Sequence, residues 1–287
     1  MLSYNQAFYE LKNRLQPLYD EREAVSIAHE IINHITGLDK TQRLIQKETV
    51  FTDVEQQQYE QMLNSLVRGV PLQYVTHIAW FMGREYYVNE HVLIPRPETE
   101  ELVQWILGEN SQFPIPNSQF HILDIGTGSG CIPISLKLAL EYAEVTSCDI
   151  SNDAIEVAKR NAKKLNATID FLHLDFLDGS QHTKMGIYDV IVSNPPYIPA
   201  AEKERLHTNV KDHEPGLALF VPDDDSLVFY KAIALFGRQH LNSNGYIYCE
   251  LDANHAMECK ALFEAIGYKN VEIRKDIHGN WRMLKAN

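Results

Sequence analysis

From residue 120 onward, short apolar runs alternate with helical patterns, and this alternation restricts the fold more than any other feature of the chain. Strands are predicted at 120–124, 145–150, 169–173, 188–193 and 246–251, with closing strands at 271–274 and 281–284. Helices are predicted at 131–142, 153–165, 227–236 and 256–266, and Ala154, Val157, Ala158 and Ala162 line one side of the second of these. Such an order predicts an α/β domain built on a mostly parallel sheet with helices on both faces.

The first 70 residues read differently. Apolar positions Leu2, Ala7, Phe8, Leu11, Leu15 and Leu18 recur near the helical period, as do Ala24, Ile27, Ala28, Ile31, Ile32 and Ile35 before Gly37. A third run, from Val54 through Tyr59, Met62, Leu63 and Leu66, stops at Gly69 and Pro71. A small helical bundle is expected at 1–70. Residues 71–97 form a linker, with a β-hairpin expected at Trp80-Phe81, Gly83 and Tyr86-Tyr87-Val88. Leu93-Ile94-Pro95-Arg96-Pro97 must be extended, because proline disfavours the helical region for its predecessor. Thr99 is expected to cap the helix that carries Leu102, Val103, Trp105 and Ile106, and 108–118, with Pro114, Pro116 and Asn117, to be a loop. The large domain then occupies 98–287.

Bulk properties exclude some functions. Of 287 residues, 45% are hydrophobic and 23% charged, which fits a globular chain with a real core. A net charge of -13 argues against gripping nucleic acid by charge alone. Cys131, Cys148, Cys249 and Cys259 form no C-x-x-C pair, so buried thiols in a reducing compartment are expected and no metal. Neither a signal peptide nor an apolar run near the roughly 18 residues that span a bilayer is evident, so a cytoplasmic location is expected.

Asp124-Ile125-Gly126-Thr127-Gly128-Ser129-Gly130 lies between a strand and a helix. Glycines there permit positive φ and let a ligand approach the backbone closely, and the following helix offers unpaired N–H groups. The spacing is Gly-x-Gly-x-Gly, unlike the dinucleotide fingerprint. Asp149 ends the second strand, where a carboxylate accepts the hydroxyls of an adenosine ribose. Turn and acid together predict a nucleoside ligand. Between cofactors, Asp124 favours S-adenosylmethionine over a dinucleotide, because a diphosphate would be repelled by that carboxylate. Asp175 and Phe176, after the third strand, are placed to contact the adenine, Phe176 by stacking.

The fourth strand ends in Asn194-Pro195-Pro196-Tyr197, at the edge where ligands bind in such sheets. Two prolines fix two φ angles and remove two donors, so the backbone carbonyls become rigid acceptors. The Asn194 amide oxygen adds another acceptor. Two convergent acceptors suit one planar –NH2 group, and Tyr197 can lie against its plane. An amide nitrogen is far too weak an acid for a carboxylate near pKa 4 to deprotonate. Orientation, which contributes roughly 7–11 kcal/mol, is therefore expected to outweigh acid–base strength.

With these motifs in view, the chain resembles the release factor glutamine methyltransferases, the HemK/PrmC family. The resemblance runs through Pro71-Leu72-Gln73-Tyr74, Val92-Leu93-Ile94-Pro95-Arg96-Pro97-Glu98-Thr99-Glu100, Asp124 to Gly130, Asp149-Ile150-Ser151 and Ile191-Val192-Ser193-Asn194-Pro195-Pro196-Tyr197-Ile198. It implies a seven-stranded Rossmann-like class I S-adenosylmethionine-dependent methyltransferase fold with a small helical N-terminal domain. It implies methylation of the glutamine side-chain nitrogen in the Gly-Gly-Gln motif of bacterial class I peptide chain release factors, with S-adenosylhomocysteine as product. By position, Gly126, Thr127, Gly128, Ser129, Gly130, Asp149, Asp175, Phe176 and Asn194 would bind the donor. Asn194, Pro195, Pro196 and Tyr197 would hold the glutamine, and Arg96 and Glu100 would line or brace the site. The helical domain would recognise the release factor, with a monomeric enzyme and neither nucleic acid nor membrane as partner. Local departures occur: Phe176 stands where tryptophan is frequent, His213-Glu214-Pro215 where Phe-Glu-Pro is, and Glu250-Leu251-Asp252 where Glu-Ile-Gly is.

Competing readings are a glutamine methyltransferase of a ribosomal protein, a nucleic-acid adenine N6-methyltransferase, and a silent scaffold. His29 and His34 sit one residue too far apart for a helical zinc box. Asp223-Asp224-Asp225 reads as a solvated loop, and 198–226, which lacks periodicity, as a long loop able to close over a peptide.

Overall fold

The computed structural model describes residues 1–109 and 119–287, so most of the loop expected at 108–118 lies outside the described residues. Two compact units are present. One comprises 1–78 with 207–213, the other 79–206 with 214–287.

The first unit is helical: α1 (Tyr4–Leu15), α2 (Glu21–Thr36), α3 (Lys40–Ile45), α4 (Asp53–Leu66) and α5 (Leu72–Thr76). Ser3, Asp20, Asp39 and Thr52 each accept a backbone N–H at a helix start, worth about 1 kcal/mol apiece. Gly37, at φ +70°, ends α2 in the left-handed conformation that a Cβ disfavours. The apolar faces of α1, α2 and α4 close on Leu11, Leu15, Ile31, Ile32, Tyr59 and Leu63, with Phe51 inside. His29 packs on the Phe8 ring and lies 3.0 Å from the Arg43 guanidinium, and no metal-binding group of three or more His, Cys, Asp or Glu exists among the described residues.

The second unit opens with the expected hairpin, β1 (Ile78–Phe81) and β2 (Arg84–Tyr87), then α6 (Pro97–Gly108). There follow β3 (Phe120–Ile125), α7 (Cys131–Ala139), β4 (Ala143–Asp149), α8 (Asn152–Lys164), β5 (Asp170–His173) and β6 (Tyr188–Ser193). The stretch read as one long loop is ordered. It holds β7 (Ile198–Pro199) paired in parallel with β8 (Phe220–Val221), and α9 (Thr208–His213), which belongs to the helical unit and whose Asn209 donates to the Tyr19 hydroxyl within it. Then come α10 (Val228–His240), β9 (Leu241–Glu250), α11 (Ala256–Ile266), β10 (Val271–Lys275) and β11 (Trp281–Ala286).

The seven-stranded sheet has the order β10-β11-β9-β6-β3-β4-β5. Its strands are parallel except β11, which runs antiparallel to both β9 and β10. Central strands are buried on both faces, which is why they read as continuous apolar runs. Leu123, Ile191 and Cys249 face α10 and α11, whereas their neighbours Ile122, Val190, Val192 and Tyr248 face α6, α7 and the hairpin. Strand order reverses at β3, since β4 lies on one side and β6 on the other. The crevice at their carboxyl ends is where sheets of this class bind ligands. All four cysteines are free and buried.

Candidate active site

The glycine turn is fastened to the next strand. Gly126 and Thr127 both donate their N–H to the Cys148 carbonyl, at 2.9 and 3.1 Å. Gly126, Gly128 and Gly130 all have positive φ, at +81°, +50° and +80°. An added Cβ would meet nothing within 4 Å at Gly128 and only the Asn194 carbonyl oxygen, 3.9 Å away, at Gly126. That open space over bare backbone is a cradle for a ligand. At Gly130 a Cβ would lie 2.9 Å from Ile134 Cδ1 and 3.1 Å from Ala158 Cβ, so this glycine serves packing of α7 on α8.

Asp149 closes the turn. Its Oδ2 accepts the Gly128 N–H at 3.0 Å and its Oδ1 the Ser151 N–H at 2.9 Å. A carboxylate offers about four acceptor positions, so others remain for ribose hydroxyls. Burial pushes its carboxyl upward, and those N–H groups pull it back. Asp124 is fully buried, and Ser147 donates to its Oδ2 at 2.6 Å while Thr127 Oγ1 lies 2.5 Å from Ser147 Oγ. Burial pushes Asp124 up to about 7. Its Oδ1, like Ser129 Oγ, has no hydrogen-bond partner among the described residues. The cradle and the spare acceptors of Asp149 together fit a nucleoside.

Asp175 and Phe176 are less open. The Asp175 carboxylate accepts the Leu177 N–H at 2.9 Å. Phe176 is 6% exposed, its ring packed against His182 at 4.7 Å and Phe236 at 5.2 Å between centroids, so little of either face is free to stack on a base.

Beside the turn, Ser193 Oγ donates to the Ile125 carbonyl at 2.8 Å, tying the end of β6 to the end of β3. Asn194 follows. Its Nδ2 donates to Thr99 Oγ1 at 3.1 Å, and Thr99 donates to Glu250 Oε2 at 2.6 Å. Asn194 Oδ1 accepts no bond from any described residue. Pro195 is buried, Pro196 half-buried, and Tyr197 rests on the core with its hydroxyl 3.5 Å from Glu250 Oε1. Burial, then the Glu250 charge, keep that phenol protonated.

Sequence reasoning missed Thr99 and Glu250 at this site. Thr99 does not cap α6. The helix begins at Pro97 after Arg96, without a side-chain cap bond, which puts Thr99 inside the first turn. Strand register brings Asn194 and Glu250 together: Ser193 pairs with Cys249, so Glu250, the last residue of β9, ends up beside Asn194, a juxtaposition with no signal in the sequence.

Arg96 and Glu100 brace the surroundings. Arg96 pairs with Glu214, whose Oε2 also accepts the Ile94 N–H at 3.3 Å. Glu100 accepts the Met82 N–H at 2.8 Å, holding the hairpin turn.

A parallel sheet closed by an antiparallel β11, with a glycine turn after its first strand and an acid after its second, is the class I S-adenosylmethionine-dependent methyltransferase fold. A solved methyltransferase from Pyrococcus furiosus has the same fold, with a TM-score of 0.50 and 20% identity over 71% of this chain and 89% of its own. The family model "Methyltransferase small domain" matches residues 111–211, and "PrmC N-terminal domain" matches 6–76. Release factor glutamine methyltransferase of Flavobacterium psychrophilum is 39% identical over 95% of both chains. Its namesake from Bacteroides thetaiotaomicron is 39% identical over 96% of this chain and 97% of its own. The chain belongs to the release factor glutamine methyltransferase family.

Proposed function

We propose that this enzyme methylates the side-chain amide nitrogen, N5, of the glutamine in the Gly-Gly-Gln motif of class I peptide chain release factors, in the cytoplasm. The observation that carries this reading is the orientation of Asn194. Its –NH2 edge is engaged by Thr99, so its oxygen is presented as an acceptor at the carboxyl edge of β6. With the Pro195 carbonyl as second acceptor, Asn194 takes both N–H bonds of the incoming amide. Pro196 keeps that backbone rigid, and Tyr197 lies against the amide plane.

Gly126, Thr127, Gly128, Ser129 and Gly130 form the backbone cradle for S-adenosylmethionine, Asp149 accepts the ribose hydroxyls, and Asp175 and Phe176 border the adenine end. When bound, S-adenosylmethionine supplies an electrophilic sulfonium methyl group and departs as S-adenosylhomocysteine. Asn194 and Pro195 favour positive charge as it develops on the nitrogen, because both offer oxygens already in place. No base is needed in advance; the proton leaves to water after transfer. Residues 1–70 recognise the release factor, the hairpin linker at 71–97 connects, and 98–287 perform the chemistry.

The test is transfer of labelled methyl to a release factor, the same factor with Glu in place of the motif glutamine, a ribosomal protein and duplex DNA, side by side. Label on the motif glutamine of the first alone is expected. Label on the ribosomal protein or DNA with the release factor untouched would overturn the assignment.

A further inference from the structure

We propose that Thr99 and Glu250 form a relay that sets which edge of the Asn194 amide faces the acceptor nitrogen, and that protonation of Glu250 reverses this edge and switches transfer off. The proposal rests on the role given above to Asn194.

Counting hydrogens fixes the direction of each bond. A threonine hydroxyl has one hydrogen and two lone pairs. The Thr99 hydroxyl gives its hydrogen to Glu250 Oε2, 2.6 Å away, so toward Asn194 it can only accept. Asn194 must therefore turn its –NH2 toward Thr99, at 3.1 Å, and its oxygen toward the substrate. A neutral Glu250 changes every sign. Its Oε1 faces the protonated Tyr197 hydroxyl, so the new proton sits on Oε2 and donates to Thr99. The Thr99 hydrogen is then free to donate to Asn194, whose amide flips to offer oxygen to Thr99. The edge left for the substrate becomes a donor, which cannot accept an amide N–H.

The surroundings of Glu250 suit such a switch. It is 2% exposed, at the end of β9. Thr99 and Glu98 face it from α6, Tyr197 from the segment after β6, and Arg282 from β11. Tyr230 of α10 donates to its backbone carbonyl, and Cys131 of α7 is near enough to feel its charge. Burial pushes the carboxyl up to about 7; the Thr99 bond and the Arg282 charge pull it down, and Glu98 pushes it up. Thr99 and Glu250 are positioning residues, since neither is placed to touch the reacting atoms.

The test follows the Asn194 side-chain amide by 15N-resolved NMR between about pH 5.5 and 8.5, the range around a carboxyl that titrates near neutrality, with Asn194→Asp for assignment. In the native protein and in Thr99→Ser the resonances should titrate with one midpoint, and kcat/KM for a release factor should fall on the acid side with the same midpoint. In Glu250→Gln and Thr99→Val both should be flat, and Thr99→Val should lose about tenfold in kcat/KM, the effect of one orienting hydrogen bond. A merely structural role would lower activity without erasing the pH limb. Resonances that stay still in the native protein, or titrate equally in Glu250→Gln, would overturn the relay. A titrating amide in an enzyme that leaves the release factor unmethylated would overturn the substrate reading and leave the relay standing. Should Thr99→Val fail to fold, Glu250→Gln alone decides between the relay and a structural role.

Discussion

The carboxylate of Asp149 holds the backbone N–H of Gly128 at 3.0 Å, so the acid that ends β4 also shapes the turn that ends β3. Asp149→Ala therefore removes a clamp on the cradle and, on the proposed function, the ribose acceptor as well. We expect donor affinity to drop by roughly 10–100-fold, or about 1.5–3 kcal/mol for the loss of charge-assisted hydrogen bonds. Calorimetric titration with S-adenosylhomocysteine measures it, and an unchanged affinity would remove Asp149 from the donor site.

The glycines of the turn should separate by mechanism. Gly126→Ala meets only the Asn194 carbonyl oxygen, at an ordinary contact distance of 3.9 Å, and suffers chiefly its positive φ, a cost of about 1–2 kcal/mol. Gly130→Ala suffers the same and also presses on Ala158, whose Cα would lie 3.3 Å from the new Cβ. Its denaturation midpoint should fall further, by an extra 1–3 kcal/mol or so in unfolding free energy. Equal losses in the two variants would show that packing of α7 on α8 is not what Gly130 protects.

Arg96 supports a loop. The Glu214 side chain is 1% exposed and its partner Arg96 33%, so Arg96→Met leaves a buried carboxylate with only the Ile94 N–H. Breaking such a pair from one side should cost on the order of 2 kcal/mol, discounted for the exposure of the arginine. Urea denaturation at neutral pH checks it. Full stability in Arg96→Met, alongside weakened release factor binding, would instead mark Arg96 as a substrate contact.

Asp124 and Glu250 predict an unusual pH dependence of stability. Burial raises both carboxyls, from 3.8 and 4.5 to about 7. The folded chain thus holds these protons more tightly than the unfolded chain does. Their contribution is complete below about pH 4 and is lost as pH rises to 7, on the order of 3–4 kcal/mol each. Denaturant midpoints should decline from pH 5 to pH 8, and Asp124→Asn should flatten that slope. A midpoint that climbs over the same interval would contradict the sign. Glu109 acts oppositely: burial raises its carboxyl, but hydrogen bonds from Lys285, Tyr248 and Trp105 outweigh it and leave it below the ordinary value, so its contribution is lost as pH falls below that value.

Much of the fold was legible because the central strands carry apolar residues on both faces and glycines mark the turn after β3. The short α3 and α5 were not, since five or six residues display no period. The strand assigned from 246 begins at Leu241, because Asn242, Ser243, Asn244 and Gly245 break the apolar run. Gly245 passes so near the Asp189 carbonyl that a Cβ would sit 2.8 Å from it, a constraint visible only once β6 and β9 are paired. At the site, Asn194 and Asp149 announce themselves by motif. Thr99 and Glu250 do not, because their role depends on hydrogen direction across three elements that are distant in sequence. Phe176 differs in another way: an aromatic after a strand reads equally as a stacking platform and as core, and its partners Phe236 and His182 were not identifiable from the sequence.

The stitch from Ser193 to Ile125 makes the interval between the two half-sites a property of neighbouring strands, not of the loops that emerge from them. Under the proposed function, rearranging those loops would alter which acceptor enters, while the spacing of the glycine turn from Asn194 stays with the sheet. On that reading, a change of substrate would need edits only to rims and appended helices, because the sheet itself sets the span between donor cradle and acceptor oxygen.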